Sequence, residues 1–68
     1  MHAATLDSER LKRVDDLLAD GRPHSTLAIM TTVQVCAVNS VISELRANGR
    51  RIRCWREGGR WFYQREDV

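Results

Sequence analysis

From Val33 to Gly49 the chain reads Val-Gln-Val-Cys-Ala-Val-Asn-Ser-Val-Ile-Ser-Glu-Leu-Arg-Ala-Asn-Gly, and immediately afterwards its apolar period changes from 3.6 to 2. That switch constrains the fold more than any other feature. Val35, Val38, Ile42 and Leu45 recur at steps of three and four and cover an arc of roughly 80° on a helix, which Val41 widens. The opposite side carries Cys36, Ser40, Ser43, Glu44 and Ala47. Thr31 and Gln34 have the spacing of a capping box, and Asn48-Gly49 can supply the left-handed exit. The pattern predicts a helix over 33–48.

Beyond it, residues 50–57 and 60–66 alternate around Gly58-Gly59, a pair suited to a two-residue hairpin turn. Pairing Glu57 with Arg60 sets Arg56 opposite Trp61, Trp55 opposite Phe62, Cys54 opposite Tyr63, Arg53 opposite Gln64 and Ile52 opposite Arg65. The face with Ile52, Cys54 and Tyr63 is expected to close over the helices, with Cys54 in the core. Trp55 and Phe62 are then left paired on the outside between Arg53 and Arg60. Two roles for that pair stay open, a cross-strand brace and a contact surface.

Upstream, Leu11, Val14, Leu17 and Leu18 form the stripe of a first helix over 7–20, with Asp7 and Glu9 in its first turn and Gly21 and Pro23 ending it. Ser25 is a candidate N-cap for a short helix over 25–31, whose Leu27, Ala28 and Met30 or Ile29 should contact the neighbouring helices. His24 is a turn imidazole with no obvious partner. Two helices this close in sequence form a helix-turn-helix arrangement.

The 68 residues, 43% of them hydrophobic, make a single domain (1–68) with a small core, for which self-association is plausible. No apolar run is long enough to span a membrane, and the N-terminus lacks the apolar block of a signal peptide, so a cytoplasmic protein is expected. Cys36 and Cys54 read as reduced thiols. With His2 and His24 they contain no adjacent ligand pair, so neither metal nor cofactor is expected. No nucleophile–base constellation, phosphate loop or convergent carboxylate pair is present, which argues against an enzyme.

The net charge of +2 is unevenly distributed. Residues 1–43 hold four basic and five acidic side chains, whereas residues 44–68 hold seven arginines and four acids. Between Arg46 and Arg65 the only acid is Glu57, and such a field attracts polyanions.

Three helices followed by a hairpin resemble the winged helix-turn-helix family of DNA-binding domains, over residues 7–66. The most specific part is Val38-Asn39-Ser40-Val41-Ile42-Ser43-Glu44-Leu45-Arg46-Ala47-Asn48-Gly49-Arg50-Arg51-Ile52, which looks like the recognition helix, its exit and the first wing strand of small bacterial and phage regulators. Ala28 matches the small residue usual in the second helix, and Tyr63 an aromatic usual in the returning strand. Thr32 stands where the family's turn often has glycine. The resemblance implies an α+β fold, three helices and a two-stranded C-terminal wing. It further implies that the third helix enters the major groove while the wing touches the backbone.

On that reading Gln34, Cys36, Asn39, Ser40 and Ser43 face the bases, and only Gln34 and Asn39 have side chains that read base edges well. Glu44 would be repelled by phosphates unless it pairs with Arg46 or reads a cytosine. Arg46, Arg50, Arg51, Arg53, Arg56 and Arg60 would hold phosphates, with binding falling against log salt at a slope of about −3.5 to −4.5 for four or five contacts. The function expected is a small transcriptional regulator of duplex DNA, of the phage or mobile-element kind, acting as a homodimer. The alternative is a winged helix turned protein-interaction module, such as a phage-type inhibitor of a host nucleoprotein (CRISPR effector) complex, gripping its partner through Trp55 and Phe62.

Overall fold

The computed structural model describes residues 9–68. Asp7, His2 and the start of the first helix lie outside the described residues. The chain is α+β, with three helices and a three-stranded antiparallel sheet. Helix α1 spans Glu9–Leu18, strand β1 His24–Ser25, helix α2 Thr26–Val33, helix α3 Val38–Ala47, strand β2 Ile52–Glu57 and strand β3 Arg60–Arg65.

The helical stripes do what their spacing implies. Leu11, Val14 and Leu18 of α1 and Val38, Val41, Ile42 and Leu45 of α3 meet Ile29 of α2 in one core. Ile52 and Tyr63 close it from the sheet, and Leu17, Met30 and Val33 pack at its margin. Full burial of one such leucine or isoleucine contributes about 1.5–3 kcal/mol, so a handful of contacts decides whether a chain this short folds.

Helix α3 begins five residues later than the period predicts. Val33 ends α2, Gln34 adopts a left-handed conformation (φ 55°, ψ 49°), and Val35 is buried from the turn rather than from a helix. The period was sound as a record of burial and misleading as a record of helix. No capping box forms, since Thr31 Oγ1 donates back to the carbonyls of Leu27 and Ala28 and Ala37 caps α3 without a side-chain bond. Helix α2 runs on to Val33 because Met30 and Val33 gain contact with the core. Its start is as expected, with Ser25 Oγ accepting from the Ala28 N–H at 3.0 Å. Ile29 is the buried residue of α2, while Leu27 points outward, 64% exposed. The axes of α2 and α3 are bent by 90° to each other.

The hairpin register is the expected one at all six pairs, from Ile52–Arg65 to Glu57–Arg60. Gly58 (φ 58°) and Gly59 (φ 78°) both take the left-handed conformation that a two-residue turn of this kind demands. The sheet has three strands, not two, because His24 and Ser25 pair with Tyr63 and Phe62 along the far edge of β3. His24 also has a partner: its Nε2 lies 3.0 Å from Asp20 Oδ1.

Two further expectations are corrected at the hairpin. Cys54 is exposed although its cross-strand partner Tyr63 is buried, since Cys54 lies on the free edge strand β2 and Tyr63 on the central strand β3. Trp55 and Phe62 do pair on the outer face, but they are half-buried instead of fully exposed: their rings stack at 5.8 Å with 19° between planes, and β1 runs beside Phe62. The exposed aromatic is Trp61, 48% accessible.

Candidate nucleic-acid interface

The arginines of the last third divide into two groups by partner. Arg46 folds back from the end of α3, its Nε and Nη2 donating to the Ile52 carbonyl at 3.2 and 2.7 Å. Arg50 is held by Asp15 of α1 through two bonds, at 2.9 and 3.3 Å, and Arg65 reaches the same Asp15 at 3.1 Å. Arg65 also binds Asp67, holding that carboxyl below the usual carboxylate range. These side chains join α1, the exit of α3 and the base of the hairpin.

Arg51, Arg53, Arg56 and Arg60 are exposed and form no ion pair with any described residue. Strand alternation places Arg53 and Arg60 on the outer face and Arg56 on the face toward the helices. The charge therefore wraps the free edge and tip of the hairpin instead of forming a single planar ridge. Glu57, the one acid among them, accepts from Trp55 Nε1 at 3.2 Å rather than from an arginine. The Arg53 guanidinium lies 5.0 Å from the Trp55 ring centroid, a stacking that orients it while its in-plane N–H donors stay open.

Beside this edge is the exposed side of α3. Asn39, Ser40 and Ser43 are accessible, and Cys36 precedes the helix on the same surface. Gln34 stands apart from them, since it occupies the left-handed turn position and lines a hollow with Arg13, Asp16, Thr32 and Val33. A cleft lined by Thr26, Cys36, Ala37, Val38, Asn39 and Ser40 adjoins one lined by Thr26, Asn39, Cys54, Trp61 and Tyr63, so α3 and the hairpin share a continuous trench. In that trench the buried Tyr63 hydroxyl donates to Asn39 Oδ1 at 2.8 Å, which leaves both amide hydrogens of Asn39 for a ligand. Glu44 is not paired with Arg46; it binds Arg10 of α1 at 3.0 Å, which offsets the one acid on this helix.

Sequence reasoning missed the Tyr63–Asn39 bond. Its only signal was that Tyr63 falls on the core face of the hairpin, where a buried phenol needs a hydrogen-bond partner. Among the described residues no three His, Cys, Asp or Glu side chains cluster as metal ligands, and no single helix is long and apolar enough to cross a membrane. Comparison with protein-family models, characterised proteins and solved structures finds no match to this chain.

Proposed function

We propose that the protein is a small winged helix-turn-helix DNA-binding regulator. The observation that carries this reading is the run of exposed arginines Arg51, Arg53, Arg56 and Arg60, which have no acid partner among the described residues, on a hairpin whose helix-facing side shares a trench with α3. Guanidinium groups bind phosphate through forked, charge-assisted hydrogen bonds, and a hairpin edge of them can follow a duplex backbone. The perpendicular α2–α3 pair supports the reading, because it is the geometry in which a second helix is offered to a major groove.

Base discrimination on this reading is narrow. Asn39, oriented by Tyr63, is the side chain on α3 best able to address a base edge, with Ser40 and Ser43 as short neighbours. Most of the affinity is then backbone contact, and operator selectivity comes from two copies on spaced half-sites. Four phosphate contacts give a slope of log affinity against log salt of about −3.6. A gel-shift series on duplex DNA over increasing salt tests the proposal, and absence of any complex at low salt would refute it. Of the features behind the protein-interaction alternative, the Trp55–Phe62 pair is weakened, since the two rings are half-buried and stacked on each other.

A further inference from the structure

Leu27 and Trp61 are large apolar side chains that the fold leaves open, 64% and 48% exposed. They are not isolated. Together with Met30 they wall a groove of about 340 Å³ between α2 and the start of β3, completed by Ser25, Thr26, Gly59 and Arg60. The Thr26 hydroxyl, donating to the Trp61 carbonyl at 3.4 Å, ties the two sides. A lone exposed leucine needs no explanation, but a concave apolar site framed by an aromatic ring does.

The rim identifies the occupant. Arg60 lines the groove and Arg56 is the cross-strand neighbour of Trp61; both are exposed and neither has an ion-pair partner among the described residues. No acid among the described residues lines the groove. A second copy of this chain docking patch to patch would set Arg56 and Arg60 against their own counterparts, which like charge disfavours. Nucleic acid would find arginines but two aliphatic walls, Leu27 and Met30, in place of a stacking platform. We propose that this groove docks an acidic amphipathic segment of a partner protein, one that seats a bulky apolar side chain between Leu27, Met30 and Trp61 and carries carboxylates to Arg56 and Arg60. This is the helix-in-groove mode, with apolar anchors for affinity and a charged rim for selection. The inference stands apart from the DNA-binding reading, although the two share Arg56 and Arg60.

The test uses the full chain and a short synthetic peptide with leucine and phenylalanine on one helical face and glutamate elsewhere. A control peptide has lysine for each glutamate. In NMR titrations the acidic peptide should shift the signals of Leu27, Met30 and Trp61 and bind about tenfold or more tightly than the lysine peptide. The variant Leu27→Ser, whose side chain is outside the core, should weaken the acidic peptide about tenfold while duplex DNA affinity stays within about twofold. No binding, equal binding of both peptides, unchanged binding by Leu27→Ser, or self-association through the groove would each overturn the proposal. DNA affinity, measured separately on the same samples, keeps a failure of the groove distinct from a failure of the DNA reading.

Discussion

Seven arginines of the last third look alike in sequence, and only their partners separate them. Asp15 is 35 residues from Arg50 and 50 from Arg65, so no local pattern could have shown that these two guanidiniums brace the fold. Asp15→Asn should therefore destabilise the protein by about 1–3 kcal/mol, read from urea midpoints, while the salt slope of DNA binding stays unchanged. Two carboxyls carry a pH signature. Asp67 is held low chiefly by its bond from Arg65, and Asp20 by the Arg22 N–H and then by His24. A carboxyl whose folded pKa is depressed contributes fully above its unfolded value and loses that contribution as pH falls through the folded one. Thermal melts should thus be insensitive to these two groups near neutrality and fall as acid passes below the ordinary carboxylate value of 3.8. Tyr63→Phe removes the bond to Asn39 and should cost about 1 kcal/mol of stability. It should also narrow the affinity gap between cognate and random duplex more than it lowers random-duplex affinity, a split that competition binding measures.

At the scale of elements, the register of the hairpin was legible because Gly58-Gly59 suits a two-residue turn and a one-residue slip would have turned Ile52 and Tyr63 out of the core. The start of α3 was not. Val35 keeps helical spacing with Val38, Ile42 and Leu45 and is equally buried, so periodicity alone could not distinguish a helix from a turn folded onto the same core. The left-handed position of that turn falls at Gln34, two residues after Thr32, the position at which the resembled family often has glycine. A non-glycine residue there costs about 1 kcal/mol, partly offset by the entropy that glycine loses on folding. Gln34→Gly should leave the fold intact and raise stability by up to about 1 kcal/mol in denaturant titration. Strand β1 had no signature because two residues show no alternation, and its existence depends on β3 being in place. Cys54 and Trp61 share the core face of the hairpin with Ile52 and Tyr63, yet they are exposed, Cys54 because it lies on the free edge strand and Trp61 because it lies next to the turn.

For the molecule as a whole, the sequence revealed a cationic last third but not its division of labour. Arg46, Arg50 and Arg65 fasten the hairpin to the helices, and Arg51, Arg53, Arg56 and Arg60 are spread along the hairpin from its base to its turn. The reading as a DNA-binding protein rests on that second set. The measurement that tests it most directly is the salt slope of duplex binding for three proteins: wild type, Arg51→Ala/Arg53→Ala and Arg50→Ala. Slopes of about −3.6, −1.8 and −3.6 respectively are expected if each free arginine meets one phosphate. No duplex binding at low salt, or one slope shared by the wild type and the double variant, would contradict the account.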